Sequence, residues 1–234
     1  MSAYSEDIGA DIAWPAEATD RMNRMYRRQR HIYDGTRRYY LLGRDQLISG
    51  LKPALGASVL EIGCGTGRNL VSAARLYPDA RFFGIDVSTE MLTSAMSAIS
   101  RRGLSDRIRL ALGDGTAFDP ERQFGIASFD HIFVSYSLSM IPDWRRVVQA
   151  AVSRLKPGGV LHIVDFGGQE RLPNAARSLL RRWLKMFDVT PRDDLESALS
   201  SIAGHSRSGL KFERPFRGYA QYAVLTLAAE RATP

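Results

Sequence analysis

Short apolar runs alternate with amphipathic stretches of helical spacing through the middle of the chain. The runs that predict β-strands are Ser58–Gly63, Arg81–Asp86, Arg107–Asp114, Phe129–Ser137 and Val160–Phe166. The stretches that predict helices are Thr66–Leu76, Ser88 to about Arg102, and Asp143–Leu155, which Lys-Pro-Gly-Gly follows. Strands that alternate with helices form parallel sheets with right-handed crossovers. The pattern therefore predicts an α/β fold with a mostly parallel sheet.

The two ends of the chain depart from this alternation. Near the C-terminus, LKFERPF and YAQYAVLTLA are consecutive strand-like segments, and they predict an antiparallel pair that closes the sheet. Helical spacing near the N-terminus predicts one helix from Pro15 to about Ile32 and a second from Thr36 to Leu51. We therefore expect an N-terminal helical segment over residues 1–52 and the main domain over residues 53–230.

Composition narrows the class of protein. Of the 234 residues, 44% are hydrophobic and 24% are charged, as in globular domains. The single cysteine, Cys64, excludes an internal disulfide and a multi-cysteine zinc site. No apolar run approaches the roughly 20 residues that cross a bilayer, and the acidic N-terminus lacks the apolar core of a signal peptide. We therefore expect a cytoplasmic protein.

Positive charge is concentrated in two segments. The net charge of the chain is +7, and Arg21–Arg44 contains eight arginines and one acid. The second segment, Arg171–Lys185, contains five basic residues and no acid. Such segments indicate a partner with negative charge, which includes an anionic lipid surface, a nucleic acid or an anionic small substrate. A solvated helix face is the structural alternative for each segment.

The segment Leu172–Phe187 is a candidate amphipathic helix. Its predicted apolar stripe consists of Leu172, Ala176, Leu179, Leu180, Trp183 and Phe187. Arg177, Arg181 and Lys185 are predicted to lie opposite that stripe. A basic amphipathic helix with Trp and Phe is typical of an interfacial membrane anchor. The same stripe also suits a helix that packs on the sheet, and the sequence leaves both interpretations open.

Chemistry is indicated at the ends of the first three predicted strands. Gly63, Gly65 and Gly67 lie between a strand and a helix, where glycines let the backbone approach a ligand closely. Asp86 ends the second strand, at the spacing of a carboxylate that binds ribose hydroxyls. Asp114 ends the third strand and can accept a hydrogen bond from an amino group of adenine. Carboxyl ends of parallel strands are where open α/β sheets bind ligands.

Five motifs, in their order along the chain, resemble the motifs of one enzyme family. They are VLEIGCGTGRNL, FFGIDVSTEML, LGDGTAF, FDHIFVSYSLSMIPDW and LKPGGVLHIVDF. They resemble the motifs of class I S-adenosylmethionine-dependent methyltransferases over about Ser58–Phe166. The resemblance implies a Rossmann-like, mostly parallel seven-stranded sheet with an antiparallel C-terminal hairpin. It also implies S-adenosylmethionine as cofactor, S-adenosylhomocysteine as product, and no metal.

The same resemblance implies a set of cofactor contacts. The three glycines would flank the methionine moiety, Asp86 would bind ribose, Asp114 would hold adenine, and Ser135 would lie beside the reacting centre. The full set is Tyr33, Arg44, Glu61, Gly63, Cys64, Gly65, Gly67, Asn69, Asp86, Val87, Met91, Asp114, Gly115, Thr116 and Ser135.

The sequence YRRQRHIYDGTRRYYLLGRD narrows the resemblance. Together with VSYSLSMIP it resembles BtaB-type enzymes, which methylate the amine of diacylglycerylhomoserine three times to give a betaine lipid. The match covers about Met25–Ile48. It implies a bacterial enzyme that is peripherally associated with the inner face of the membrane, with an amine-headgroup lipid and an anionic membrane surface as partners. The N-terminal segment would then act as a lid and a membrane contact.

Candidate substrate-binding residues follow from the chemistry of diacylglycerylhomoserine, the methyl acceptor that the resemblance implies. Arg37 and Arg38 are candidates to bind the homoserine carboxylate, because arginine pairs with carboxylates through two hydrogen bonds. Tyr33, Tyr40 and Tyr136 are candidate active-site aromatics, since aromatic faces attract sulfonium and methylated ammonium groups. Methyl transfer from an activated sulfonium needs alignment more than acid–base catalysis.

Other functions remain open at this point. A soluble small-molecule N- or O-methyltransferase would use the same cofactor residues. A phosphatidylethanolamine methyltransferase is a less favoured alternative, which only the resemblance and the need for a carboxylate partner distinguish from the homoserine enzyme. A nucleic-acid methyltransferase also fits less well, because VSYSLSMIP is unlike the Asn-Pro-Pro-Tyr loop of adenine-amino methylases. Cys64 lies in the cofactor loop, where it is not placed to act as the nucleophile of cytosine methylation. No nucleic-acid partner is therefore expected, and the oligomeric state is open.

Overall fold

A computed structural model describes residues 41–206 and 208–229 as seven strands, seven α-helices and two short 3₁₀ helices. The strands are β1 (Ser58–Ile62), β2 (Arg81–Asp86), β3 (Ile108–Leu112), β4 (Phe129–Ser135), β5 (Leu155–Phe166), β6 (Gly209–Glu213) and β7 (Ala220–Thr226). The helices are α1 (Arg44–Gly50), α2 (Arg68–Leu76), α3 (Thr89–Ser100), α4 (Pro120–Phe124), α5 (Trp144–Ser153), α6 (Asn174–Lys185) and α7 (Leu195–Ser206). The 3₁₀ helices are Leu138–Met140 and Phe216–Gly218.

The strands form one sheet in the order β3-β2-β1-β4-β5-β7-β6. Strands β1 to β5 are parallel, while β7 is antiparallel to both β5 and β6. The predicted fold is therefore confirmed, including the antiparallel C-terminal hairpin. Because β1 to β5 are parallel, their carboxyl ends lie at one edge of the sheet, which we call the carboxyl edge.

Apolar side chains cover both faces of the sheet. One cluster contains Phe82, Phe133 and Val164 with α1, α2 and part of α6, and the other contains Ile62, Ile85 and Val134 with α5 and α7. Every residue of β1 is buried, as expected of a parallel strand with helices on both sides. Two layers of helices therefore hold the central strands in place. The strands in turn position the loops at their carboxyl ends.

Helix α1 belongs with the sheet. The predicted helix Thr36–Leu51 is shorter than expected within the described residues, because Gly43 has a φ of 85° and precedes the first helical residue, Arg44. Leu47 and Leu51 are buried in the core. The described residues all belong to one compact unit, which begins at residue 39. The functional division after residue 52 stays a prediction, and the predicted helix Pro15–Ile32 lies outside the described residues.

Two connections differ from the predictions. Residues 156–159, the Lys-Pro-Gly-Gly sequence, do not separate a helix from a strand but lie within β5, where the pairing register with β4 shifts. Helices α4 and α7 were not predicted. Asp119 caps α4 by accepting hydrogen bonds from the N–H groups of Glu121 and Arg122, and Pro120 follows the cap. This Asp-Pro start is a local signal that the sequence analysis missed.

Helix α6 shows that the predicted stripe is divided between core and solvent. Leu180, Trp183 and Phe187 pack against the core, so packing on the sheet is the correct interpretation for these side chains. Leu179 is instead 72% exposed. Arg181, which was predicted to lie opposite the apolar stripe, forms an ion pair of 2.9 Å with Asp193. No helix among the described residues is long and apolar enough to cross a membrane.

His131 and His162 lie side by side inside the sheet, on β4 and β5, with ring centroids 5.7 Å apart. Among the described residues, neither ring nitrogen of His162 has a hydrogen-bond partner, and the side chain is buried. Burial, and then the neighbouring His131, lower the pKa of His162 to about 3. A structural role suits both residues, since they lie along the strands and not at the carboxyl edge.

We expect acid to destabilise the protein through His162. The unfolded chain takes up a proton near the ordinary histidine pKa of about 6.5, whereas the folded chain does so only near 3. The free energy of unfolding should therefore fall below pH 6.5, by up to about 1.4 kcal/mol per pH unit. His162→Leu should flatten this dependence, as measured by urea unfolding between pH 7 and pH 5. The control is His205→Leu, at an exposed histidine. Equal flattening in both variants would contradict the assignment.

Candidate active site

The glycine loop after β1 approaches neighbouring loops so closely that side chains are excluded. Gly63, Gly65 and Gly67 have φ angles of 71°, 52° and 71°. The N–H groups of Gly63 and Cys64 donate to the carbonyl of Ile85, at 2.9 and 3.0 Å. A Cβ atom on Gly63 would lie 2.8 Å from the Ser137 side chain. The loop is therefore held between the ends of β2 and β4, with its backbone facing the carboxyl edge.

Asp86 joins this loop to the end of β2. Its carboxylate accepts hydrogen bonds from the N–H of Gly65 at 2.8 Å and from the N–H of Ser88 at 2.9 Å. The residue is buried. Hydrogen bonds to a carboxylate are stronger than neutral ones, so Asp86 fixes both loops. A carboxylate at the end of the second strand is also the group that suits a ribose diol.

Asp114 and Gly115 form the adjoining part of the site at the end of β3. The carboxylate of Asp114 accepts from the N–H of Thr116 at 2.8 Å. The N–H of Gly113 donates to the carbonyl of Asp86 at 3.0 Å, which places the two loops side by side. A Cβ atom on Gly115 would lie 2.6 Å from Ile62. Close packing therefore requires glycine there and sets the distance between the β1 and β3 ends.

Glu61 is a buried acid beneath the glycine loop. Its Oε1 accepts from the Asn69 side chain at 2.7 Å, so the predicted pair Glu61 and Asn69 is brought together. Cys64 contributes its backbone to the loop while its thiol lies in the core: a Cβ atom on Gly84 would be 3.0 Å from its sulfur. Burial raises the pKa of the Cys64 thiol, as do the charges of Asp86 and Glu61. The thiol is therefore neutral.

The segment after β4 connects the site to the start of α1. Ser135 is buried at the strand end, and Tyr136 has a φ of 56°. The Tyr136 hydroxyl donates a hydrogen bond to the carbonyl of Leu42, and its ring packs edge-on against Phe166 with centroids 4.7 Å apart. Burial, and then the charge of Asp165, raise the pKa of the Tyr136 phenol. Tyr136 is therefore a neutral hydrogen-bond donor.

The remaining predicted residues fall into two groups. Met91 is buried at the start of α3, where its N–H donates to the capping Ser88 hydroxyl at 3.3 Å, and Val87 is half-buried beside it. The Arg44 side chain is only 11% exposed, and its charge acts on the Tyr136 phenol. The predicted residues Tyr33, Arg37, Arg38 and Tyr40 lie outside the described residues. Their roles stay predictions.

The sequence analysis missed a buried polar group at the end of β5. Asp165 is fully buried and accepts from the N–H groups of Ser139 at 3.0 Å and Phe166 at 2.7 Å. Arg192 donates to the carbonyls of Leu138 and Ile141, at 3.0 and 2.7 Å. These contacts fix the segment that follows Tyr136. Asp165 lies near the end of its strand as Asp86 does, and that position was the available signal.

Among the described residues, no group of three or more His, Cys, Asp or Glu side chains could hold a metal ion. The acids at the carboxyl edge are instead engaged by backbone N–H groups and by Asn69. Their arrangement fits an adenosyl cofactor, with acceptors for a ribose diol at Asp86 and for an amino group at Asp114.

Known proteins show the same architecture. The family described as "Methyltransferase domain" matches residues 59–159. O-methyltransferase cnsE of Penicillium expansum is 30% identical over 64% of this chain and 52% of its own length. Methyltransferase GfsG of Streptomyces halstedii is 30% identical over 68% of this chain and 56% of its own length. The chain thus spans about half the length of these curated relatives.

A solved structure agrees in fold. Phosphoethanolamine N-methyltransferase 2 of Haemonchus contortus, in complex with S-adenosyl-L-methionine, superposes with a TM-score of 0.63 at 17% identity. The superposition covers 80% of this chain and 52% of that chain. The sheet order, the acids at three successive strand ends and the family match lead to one conclusion. Residues 59–159 are similar to a methyltransferase domain, and the sheet has the Rossmann-like order of methyltransferase structures.

Proposed function

We propose that this protein transfers a methyl group from S-adenosylmethionine to an acceptor bound beside the ends of β4 and β5. The observation that supports this best is the placement of Asp86 and Asp114 around the glycine loop. When bound, the cofactor supplies a methyl group on a positively charged sulfur, which is already activated for transfer. The chain's own residues then have to hold, align and desolvate the reactants.

Tyr136 suits a positioning role in this reaction. Its hydroxyl is engaged by the carbonyl of Leu42, and its phenol is neutral. The ring and Phe166 form an apolar wall near the ends of β4 and β5. Aromatic rings attract sulfonium and methylated ammonium groups, so such a wall suits an amine that gains methyl groups.

The acceptor that we propose is the amine of a lipid headgroup, in diacylglycerylhomoserine. The support is the resemblance of Met25–Ile48 to BtaB-type enzymes, most of which falls outside the described residues. Successive methylation would give the trimethylated betaine lipid. The arginines at positions 37 and 38 are proposed to bind the homoserine carboxylate.

A soluble small-molecule acceptor is the second candidate, and the comparisons favour it. The relatives with substrate-related names include an O-methyltransferase from Penicillium expansum and trans-aconitate 2-methyltransferases from two bacteria. None of the relatives named here is described as acting on a betaine lipid. On this alternative, the same cofactor residues serve a water-soluble N- or O-acceptor.

One labelling experiment separates the two candidates. Full-length protein is incubated with methyl-labelled S-adenosylmethionine and one of three acceptors: diacylglycerylhomoserine in detergent, phosphatidylethanolamine in detergent, or the acyl-free homoserine headgroup. We expect label in mono-, di- and trimethylated homoserine lipid only. Equal labelling of the acyl-free headgroup would favour a small-molecule enzyme. Label in phosphatidylethanolamine alone would show that the acceptor headgroup is ethanolamine and not homoserine. Cofactor binding without any labelled product would overturn the proposal of a lipid acceptor.

A further inference from the structure

The outward side of α6 presents large apolar side chains to solvent. Leu179 is 72% exposed and Met186, directly after the helix, is 70% exposed. Residues seven apart lie on the same side of a helix, and Arg182 lies between these two on that side. Leu184, which is buried, lies on the opposite side. Packing of α6 on the sheet therefore does not account for Leu179 and Met186.

A strained turn next to α6 adds another exposed apolar side chain. Phe216, Arg217 and Gly218 have φ angles of 55°, 59° and 80°. This left-handed conformation is unfavourable for residues with a side chain, and it is held by backbone hydrogen bonds. The N–H of Gln169 donates to the carbonyl of Gly218 at 2.8 Å, and that of Arg171 to the carbonyl of Arg217 at 3.3 Å. The turn keeps Phe216 48% exposed.

The same surface is positively charged. Arg171, Arg182, Lys185 and Arg217 are exposed, and no ion pair to them occurs among the described residues. Two nearby acids are already paired, Glu170 with Arg214 at 3.2 Å and Asp193 with Arg181 at 2.9 Å. Asp188, just beyond α6, is exposed and offsets one positive charge. The balance of exposed charge remains positive.

The surface borders the active site. The N–H of Thr190, after α6, donates to the carbonyl of Ser139, in the segment that follows Tyr136, at 2.9 Å. At the other end, a Cβ atom on Gly43 would lie 3.6 Å from the Phe216 ring. Both ends of the surface therefore adjoin segments at the carboxyl edge of the sheet.

We propose that the α6 surface, defined as the exposed side chains of Leu179, Arg182, Lys185, Met186, Phe216 and Arg217, docks on an anionic lipid bilayer. The proposal rests on the lipid acceptor proposed above and names the surface that would bring the site to it. Apolar side chains enter the headgroup region while basic ones meet anionic headgroups, as in interfacial helices. A second copy of this chain would present the same positive charge, so self-association through this surface is disfavoured.

Flotation of the full-length protein with lipid vesicles tests this proposal. Vesicles of phosphatidylcholine are compared with vesicles that also contain phosphatidylglycerol, without any methyl acceptor. We expect binding to the anionic vesicles only, and a decrease with added salt. The variants Leu179→Gln/Met186→Gln and Arg182→Glu/Lys185→Glu should each lower the partition coefficient by about 10-fold or more. Circular dichroism checks that they are folded.

Matched substitutions on other parts of the molecule are the controls. Leu55 and Met96 are also exposed, by 85% and 47%, so Leu55→Gln/Met96→Gln should keep vesicle binding. Arg122→Glu/Arg146→Glu reverses two exposed charges on α4 and α5, the helices of the other face, and should also keep it. Equal loss in the controls, or unchanged binding of the α6 variants, would overturn the proposal.

Two further outcomes separate the surface from the acceptor. If wild-type protein does not bind anionic vesicles but methylates the detergent-dispersed lipid, the docking proposal for the α6 surface is wrong and the lipid acceptor stands. Protein that binds vesicles through α6 but methylates no lipid keeps the surface and overturns the acceptor. A dimer in sedimentation that Leu179→Gln/Met186→Gln converts to a monomer assigns the surface to self-association and overturns the proposal.

Discussion

Replacing Asp86 with asparagine should weaken the binding of S-adenosylmethionine by about 100-fold, because hydrogen bonds to a charged group contribute about 1.5–3 kcal/mol each. The carboxylate accepts N–H groups from both the β1 loop and the β2 loop, at 2.8 and 2.9 Å. Asparagine offers one oxygen and one NH₂ group, so one of the two N–H groups would lose its acceptor. The ribose would also lose a charged acceptor. Isothermal titration with S-adenosylmethionine measures the change.

The matched control for this change is Asp106→Asn. Asp106 is exposed in the connection between α3 and β3, away from the carboxyl edge. The Asp106→Asn variant should keep the dissociation constant for S-adenosylmethionine within about twofold, because surface substitutions usually change stability by less than about 0.5 kcal/mol. Cofactor affinity that survives in Asp86→Asn, while thermal unfolding shows a folded protein, would remove Asp86 from the cofactor site.

Gly63→Ala should abolish measurable cofactor binding and destabilise the fold. The new Cβ atom would lie 2.8 Å from the Ser137 side chain, at a φ of 71°. The left-handed conformation costs about 1–2 kcal/mol for alanine, and overpacking adds about 1–3 kcal/mol. Relief of the collision would displace the loop or break the 3.2 Å hydrogen bond from the Ser137 hydroxyl to the carbonyl of Ile62. Urea unfolding and titration with the cofactor measure the two effects.

Gly125→Ala separates the cost of the left-handed backbone conformation from the cost of the side-chain collision. Gly125 has a φ of 74°, nearly that of Gly63, but a Cβ atom there would meet nothing within 4 Å. This variant should lose only the conformational part of the stability, about 1–2 kcal/mol, and keep full cofactor affinity. Equal destabilisation in both variants would show that the collision with Ser137 is absorbed at little cost. Cofactor binding retained by Gly63→Ala would show that the loop tolerates a side chain.

Local sequence was sufficient to predict the elements that position the site. The runs that became β1 to β4 begin and end within about two residues of the predictions, because each is a short apolar run bounded by turn residues. Ser88 was predicted to begin α3, and its hydroxyl caps that helix by accepting the N–H of Met91. The site residues at strand ends follow from strand order alone, since parallel strands bring their carboxyl ends together.

Other features depend on contacts that are distant in sequence. The Lys-Pro-Gly-Gly sequence has the composition of a turn, yet it lies within β5. There the register with β4 shifts, and the backbone of Gly158 and Gly159 forms hydrogen bonds with Ala228 and Leu227, just after β7. Tyr136 was predicted as an active-site aromatic, and no local pattern indicated that its hydroxyl donates to the carbonyl of Leu42, 94 positions earlier. Asp165 is buried against Ser139 and contributes to the site only through the loop it holds.

The sequence by itself determined the α/β fold, the glycine loop and the strand-end acids that resemble those of class I methyltransferases, because these depend on short-range pattern and strand order. Tertiary structure alone decided which side of α6 is buried and which is exposed. Its stripe is continuous in sequence, but the sheet covers Leu180, Trp183 and Phe187 and leaves Leu179 in solvent. Periodicity predicts a helix face, whereas the width of the surface that covers the face is set by the whole fold.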